Sequence, residues 1–276
     1  MPELPEVEAT RRYLLSADLV GQIVTGADVL WPRAIRSGPV ETFVLGIAGR
    51  PILDVGRRGK LLLLRLGEGP NPSPATLAVH LRMTGGLLVA QGSDPRPAFT
   101  RNVILLDDGR EIRFLDPRKL GTLRLVDNET DLTADLGPEP LDPSFTPEVL
   151  ASRLKGRSAP IKALLLDQSI VAGVGNIYAD EALFAARIRP TRAAKRLSRA
   201  DRSALHAGIV DALSRAVEEL AGLMPAGEPL ADTSLGRNVL RVPREAGKPC
   251  PRDGGEIRRY VIRGRSAYFC PRCQPR

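Results

Sequence analysis

Ile161-Lys162-Ala163-Leu164-Leu165-Leu166-Asp167-Gln168-Ser169-Ile170-Val171 and Ile177-Tyr178-Ala179-Asp180-Glu181-Ala182-Leu183-Phe184 are two helix-patterned runs joined by Ala172-Gly173-Val174-Gly175-Asn176. Their spacing predicts two helices meeting across a glycine-rich turn, with Asn176 as the cap of the second. The first turn of a helix leaves backbone N–H groups without partners, and glycines let a ligand approach them closely. Such a corner suits a phosphate. A glycine turn between helices can also be purely structural, but Arg157 and Lys162 stand close by in the sequence and favour the anion reading.

Outward from this pair the pattern stays helical. Thr146-Pro147-Glu148 supplies an N-cap, a proline and an acid in the order that starts a helix. Ser198 to Asp201 resembles a capping box ahead of a stripe formed by Leu205, Ile209, Leu213, Val217 and Leu220. His206 borders that stripe with no metal-binding partner nearby, and reads as a boundary residue. Upstream, Gly137, Pro138, Pro140 and Pro143 mark a linker. We therefore expect domains over 1–135, 136–240 and 241–276, in an α+β, multi-domain chain.

The net charge is concentrated at one end. Residues 236–276 carry 11 Lys and Arg against 3 Asp and Glu, which equals the +8 of all 276 residues. A basic terminal module on a neutral body is the form of a phosphate clamp. A solvated tail is the simpler alternative, but Tyr260, Val261, Ile262, Tyr268 and Phe269 are interleaved there and imply a folded unit. All three cysteines, Cys250, Cys270 and Cys273, lie in this module, which favours a metal site over a disulfide framework. The hydrophobic fraction of 43% implies a globular chain, and no apolar run approaches the ~18 residues that span a bilayer. Charged and proline residues from position 2 onward do not form a secretory signal, so the expected location is the cytoplasm.

The first half is read as strands. Gln22–Val29, Thr42–Val55, Lys60–Leu66, Thr76–Leu81, Gly86–Ala90, Val103–Leu106, Glu111–Leu115 and Thr122–Val126 are short runs set apart by glycine and proline, which predicts an N-terminal β-sandwich or barrel. Three of the connecting turns carry unusual residues. Gly56-Arg57-Arg58-Gly59-Lys60 is a basic turn; in His80-Leu81-Arg82-Met83-Thr84-Gly85-Gly86, Met83 precedes two glycines; Asp116-Pro117-Arg118-Lys119-Leu120-Gly121 joins two cations to an apolar tip. Taken singly, each is as readily a surface turn, and Met83 as readily core filler.

Met1-Pro2-Glu3-Leu4-Pro5-Glu6 is where we place the chemistry. Removal of Met1 exposes the secondary amine of Pro2, and an α-amino group, with a pKa of roughly 7.7–8.0 against ~10.4 for lysine, is partly unprotonated and nucleophilic near neutrality. Pro5 suits the first turn of a helix that runs through Leu4, Val7, Arg11 and Leu14. The positive end of that helix keeps the amine neutral and sets the Glu3 carboxylate beside it. An ordinary charged terminus ahead of a helix is the plain alternative.

With these motifs together, the sequence resembles the formamidopyrimidine-DNA glycosylase and endonuclease VIII family over essentially its whole length. The resemblance implies an N-terminal β-sandwich, a helix-two-turns-helix domain and a C-terminal zinc-finger-like β-hairpin, acting as a monomer on damaged double-stranded DNA. It implies that Pro2 attacks C1′ of the damaged nucleotide, that Glu3 moves the proton, and that Lys60 and Arg265 serve the two eliminations. Arg157, Lys162 and Asn176 fall on phosphate-contacting positions, Met83, Arg118 and Leu120 on the group that fills the gap left by an extruded base, and Lys119 between them is a further DNA-binding residue. A bifunctional glycosylase and lyase acting on oxidised bases is the implied function, with an endonuclease VIII-like pyrimidine preference and a non-catalytic lesion-binding module as rivals.

The chain departs from that pattern in four places. Cys250-Pro251-Arg252-Asp253 puts an aspartate where the resemblance implies a cysteine, so either Cys250, Asp253, Cys270 and Cys273 hold one structural zinc or the finger stands by hairpin packing alone. Leu120 occupies a wedge position that is often phenylalanine. Phe99 stands where a histidine is usual, which removes one expected DNA contact. Thr233–Leu240 is shortened where 8-oxoguanine enzymes carry a longer loop, so formamidopyrimidines or oxidised pyrimidines become equal candidates.

Overall fold

The structure, a computed structural model, describes residues 2–70, 73, 75–223 and 240–275. Thr233–Val239 of the shortened segment therefore lies outside the described residues. By internal contacts the described residues divide into two compact units, one within 2–134 with 220–223, the other 135–219 with 240–275.

The first unit opens with helix α1 (Leu4–Ser16), which starts after Glu3 with proline in its first turn. Strands β1 (Ile23–Val29), β2 (Arg50–Arg58), β3 (Leu61–Leu66), β4 (Ala75–His80), β5 (Gly86–Gln91), β6 (Thr100–Leu106), β7 (Arg110–Leu115) and β8 (Thr122–Val126) follow, with helix α2 (Val40–Ile47) between β1 and β2. They hydrogen-bond in the order β5-β7-β6-β1-β2-β3-β4-β8. Every pairing is antiparallel, and β1 and β2 share only Ile23↔Pro51 and Val24↔Arg50. That thin joint separates two four-stranded halves. Val24, Leu87, Ile104, Ile112 and Phe114 from one half meet Ile52, Val55, Leu62, Leu64, Val79 and Leu123 from the other in one core, with Val7, Tyr13 and Leu14 of α1. The expected sandwich is formed, because alternation along each strand leaves one apolar face to bury.

One of the expected strands is half helix. Thr42–Val55 divides into the end of α2 and the first part of β2, since Phe43 and Ile47 are four apart and share the buried side while Leu45 stays exposed. Helical spacing overrides the local β-propensity of Val and Ile there.

The second unit contains α4 (Pro147–Leu154), α5 (Ile161–Leu165), α6 (Asn176–Ala185) and α7 (Arg199–Leu223) up to Glu219, after a one-turn α3 (Thr130–Thr133) at the end of the first. Thr146 caps α4 through its Oγ1, which accepts from Val149 N at 3.3 Å. The proline-rich linker is not free of the helices. Gly137 N donates to Gln168 O at 2.8 Å, and Ala172 N donates to Pro138 O at 3.0 Å, so its start is laid against the helix-joining turn. His206 hydrogen-bonds Phe145 O at 2.6 Å and stacks beside the Phe145 ring, a boundary residue as read.

At the C-terminus β9 (Arg258–Ile262) and β10 (Arg265–Phe269) form a hairpin. Its two-residue loop, Arg263-Gly264, has φ of 46° and 73°, the left-handed pair that a type I′ turn requires. Of the apolar residues that implied a folded unit, Ile262 and Phe269 are buried while Val261 is 63% exposed, so one side of the hairpin faces water. Among the described residues no helix is long and apolar enough to cross a membrane.

Candidate active site and metal centre

Pro2 is buried and lines a small pocket with Glu6, Thr10, Leu81, Gly85, Gly86 and Leu87. It sits ahead of α1, whose first turn is closed by a capping box. Glu6 accepts the Glu3 N–H at 2.8 Å, and the Glu3 side chain accepts the backbone N–H of Glu6. The Glu3 carboxylate is 1% exposed and tied to the helix start, one residue from Pro2. The expectation that the helix end holds these two residues is met.

Lys60 lies on the two-residue turn between β2 and β3, beside Gly59, whose φ of 56° favours glycine. Glu8, not singled out in the sequence, sets this turn against α1 through Arg57. Glu8 accepts from Arg57 Nε at 3.0 Å and from Arg11 at 2.7 Å, while Arg57 Nη1 donates to Gly59 O at 2.9 Å. Burial pushes the Glu8 carboxyl up, but Arg11 and Arg57 outweigh it and hold it below the usual carboxylate range. Glu8 and Arg57 are 49 residues apart, so no local signal announces the pair.

His80, at the end of β4, pairs in register with Leu61 beside the Lys60 turn. Its Nδ1 accepts from Arg82 N at 3.0 Å, and burial, with the charges of Arg82 and Lys60, lowers its pKa to about 4. It is neutral at pH 7 with its proton on Nε2, and so offers a donor without adding charge.

Asp116 is fully buried and organises both remaining loops. Its Oδ1 accepts from Thr84 Oγ1 at 2.6 Å and from Arg118 N at 3.2 Å; its Oδ2 accepts from Leu120 N at 2.6 Å and Gly121 N at 2.7 Å. The Met83 loop and the Arg118-Lys119-Leu120 turn are thereby held as one body. Met83 is half-buried and outside the core clusters, so it is not core filler. Arg118 is exposed, and Leu120 is 44% exposed. Lys119 has φ of 58°, and its ammonium stands 4.3 Å from the centre of the Trp31 ring, a cation–π contact that fixes the turn from outside. All of Pro2, Glu3, Lys60, Met83, Arg118, Lys119 and Leu120 lie in the first unit, with Glu8 tying the Lys60 turn to α1 and Asp116 tying the Met83 loop to the Arg118 turn.

The second unit carries Arg157, Lys162, Asn176 and Arg265. Asn176 is the first residue of α6, with Gly175 as the N-cap, one position from the expected cap. Its Oδ1 is buried without a hydrogen-bond partner; as an acceptor it has nothing to offer a phosphate, so the groups suited to an anion here are the Asn176 Nδ2 and the N–H groups of the helix start. Gln168 shapes the turn that precedes it, accepting from Gly173 N and donating to Leu166 O and Val174 O. Arg157, Arg263 and Arg265 are exposed. Hydrogen bonds from Ser169 hold the Asp167 carboxyl below its usual range, with the charges of Arg157 and Arg263 adding to the effect. The helix turn and the finger hairpin therefore share one cationic surface.

Lys162 is a correction to the sequence reading. Its side chain is 0% exposed, and its Nζ donates to Asp180 Oδ1 at 2.7 Å and to Ser266 O at 2.6 Å. Asp180 also receives Arg244 at 3.0 Å and Tyr268 N at 3.2 Å. Burial pushes the Asp180 carboxyl up, and Lys162 and Arg244 pull it back. An ammonium so enclosed cannot meet a phosphate; it pins the hairpin to α6 and positions Arg265 instead. Nothing in the local spacing of Lys162 announces that Asp180, 18 residues on, lies across from it.

Cys250, Asp253, Cys270 and Cys273 converge, with one ligand atom from each within 4.8 Å of the others. Cys250 and Cys273 sulfurs are 3.9 Å apart, near the ~3.8 Å edge of a tetrahedron with Zn–S bonds of about 2.3 Å. A Cβ on Gly255 would stand 3.0 Å from Asp253 Oδ1 and 3.1 Å from Cys270 Sγ, so glycine leaves the space the cluster needs. Among the described residues, Phe184, Val242, Cys250, Ile257 and Cys270 form the buried cluster here, a small core for a two-stranded hairpin. The donor set fits one structural zinc ion, with Asp253 as the oxygen ligand.

Three family descriptions match in succession: the formamidopyrimidine-DNA glycosylase N-terminal domain over residues 1–123, the formamidopyrimidine-DNA glycosylase H2TH domain over 136–224, and the zinc finger found in FPG and IleRS over 247–276. The formamidopyrimidine-DNA glycosylase of Symbiobacterium thermophilum is 45% identical, across 100% of this chain and 90% of that protein. That of Pelotomaculum thermopropionicum is 44% identical over 99% of each. Among solved structures, MutM in complex with DNA containing carbocyclic 8-oxo-G is 33% identical with a TM-score of 0.87, and a Lactococcus lactis FPG mutant with Fapy-dG DNA is 32% identical with the same TM-score, each covered in full. With its sandwich, its H2TH helices and its finger each matched, the chain belongs to the formamidopyrimidine-DNA glycosylase family.

Proposed function

We propose that this chain is a bifunctional DNA glycosylase and abasic-site lyase of base-excision repair, acting as a monomer on oxidised bases in duplex DNA, in the cytoplasm at the nucleoid. The carrying observation is the Pro2 pocket at the positive end of α1, walled by the loop that bears Met83. Once Met1 is removed, the Pro2 nitrogen bonds to C1′ of an extruded nucleotide, and the base leaves with the electron pair of its glycosidic bond. Glu3, adjacent and buried, handles the proton. The C1′–O4′ bond then opens, O4′ taking a proton, and the iminium so formed makes the C2′ proton acidic; β-elimination expels the 3′ phosphate and δ-elimination the 5′ phosphate, with Lys60 and Arg265 at the phosphates. Met83, Arg118 and Leu120 occupy the vacated space, and Lys119 steadies their turn. Arg157 and the Asn176 helix start take backbone phosphates. We assign these roles to three domains, 1–135, 136–240 and 241–276.

Formamidopyrimidines are the proposed lesions, and a Lactococcus lactis relative bound to DNA with an oxidised pyrimidine keeps that second class in view. Borohydride trapping on an abasic-site duplex tests the reaction. A Met-processed preparation should form a covalent adduct on Pro2, and mass spectrometry of the peptide should locate it. A processed chain that binds the duplex but yields no adduct is a lesion-binding module, and the enzyme reading is lost. Excision rates across formamidopyrimidine, 8-oxoguanine and oxidised-pyrimidine duplexes rank the lesions.

A further inference from the structure

Phe99 is a large apolar side chain left 52% exposed on a rigid support. Its carbonyl accepts the Asp116 N–H at 3.0 Å, so its backbone joins the node whose carboxylate holds Leu120 N and Gly121 N. The next residue is fixed as well: Thr100 N and Oγ1 both donate to Pro97 O, at 2.9 and 2.7 Å. Arg101 Nε donates to Asp116 O at 2.8 Å, and its guanidinium carbon stands 5.9 Å from the Phe99 ring centre. Phe99 and Leu120 are therefore two exposed apolar groups on one hydrogen-bonded support, flanked by the cations Arg101, Arg118 and Lys119.

An exposed ring among cations has a specific chemical complement. A base of an opened duplex offers a flat π-face for the ring and a phosphate for each neighbouring guanidinium or ammonium. A ring that belonged to the core would be covered, and a flexible loop would lose the entropy of ordering it on contact; here the ordering is already done. We propose that Phe99 is a second base-contacting wedge, stacking on an unstacked nucleobase beside the lesion while Leu120 fills the helix. The inference rests on the DNA-repair reading of the site.

The test uses Phe99→Ala, Phe99→Trp and Leu120→Ala in the full chain. Ligands are a duplex with a non-cleavable tetrahydrofuran abasic site, carrying 2-aminopurine in the facing strand, and the same duplex undamaged. Melting temperatures should be unchanged, because the side chain is half in water. Phe99→Ala should weaken abasic-duplex binding about tenfold, change affinity for undamaged duplex less than twofold, and reduce the 2-aminopurine response. Phe99→Trp should keep all three near the parent values. If Phe99→Ala binds and reports like the parent while Leu120→Ala does not, the wedge role of Phe99 is overturned and the repair reading stands. If the parent chain itself does not prefer the abasic duplex, both fall together.

Discussion

Thr84 Oγ1 donates a 2.6 Å hydrogen bond to Asp116 Oδ1, joining two loops that are 32 residues apart in the chain. Through that bond the segment walling the Pro2 pocket and the turn presenting Arg118 and Leu120 move as a single body. Thr84→Val removes one of four hydrogen bonds to Asp116 and should cost about 1 kcal/mol in urea denaturation. Asp116→Asn replaces an acceptor-only group with an amide whose NH2 faces backbone donors, and should cost about 3 kcal/mol with a larger loss of lesion excision. Equal effects of the two changes would show that the carboxylate does not organise the loops.

Lys162 and Arg157 should behave oppositely. Lys162→Met leaves the Asp180 carboxylate buried without its ammonium and should destabilise the fold by about 3–5 kcal/mol, without changing the salt dependence of DNA binding by folded protein. Arg157→Ala should leave stability within about 0.5 kcal/mol and lower the slope of log affinity against log salt by about one. A stable Lys162→Met protein with a reduced salt slope would place that ammonium on phosphate after all.

His80 predicts a pH effect of known sign. Its folded pKa of about 4 lies below the ordinary ~6.5, so between those values the unfolded chain takes up a proton that the folded chain refuses. The stability this provides is complete above about pH 6.5 and declines as pH falls toward 4, by about 3 kcal/mol at most. Denaturation of the parent chain and His80→Gln from pH 7.5 to 4.5 should show the parent losing more. A titration of the His80 ring resonances near pH 6.5 would contradict the assignment.

Elemental analysis should find one zinc per chain. Strong chelation should expose the hairpin to protease, because its small core is left without the metal's bonds. Asp253→Ala should lose most of the metal, whereas Asp253→Cys should hold it more tightly. Folded, lesion-cutting protein without zinc would leave hairpin packing as the only support.

The local features were legible because their causes are local. Pro5 and the Glu3–Glu6 pair start α1, alternation marks the strands, and Cys250, Asp253, Cys270 and Cys273 lie in one short basic module. Runs such as Thr42–Val55 misled because a helix and a strand of the same apolar composition follow each other there, and only burial separates Phe43 and Ile47 from Leu45. Phe99 likewise looked like a missing contact until its exposure was known.

By itself the sequence marked most of the strands and helices, the proline at position 2 and the four candidate metal donors, since each depends on residue type and short-range spacing. Tertiary structure decided which charges are available. Lys162 is consumed by Asp180 across 18 residues, Arg57 by Glu8 across 49, and the Met83 loop is aimed by Asp116 across 32. A charge in sequence is a possibility; desolvation and the partner opposite decide whether it can meet a ligand, and both are set only when distant segments pack.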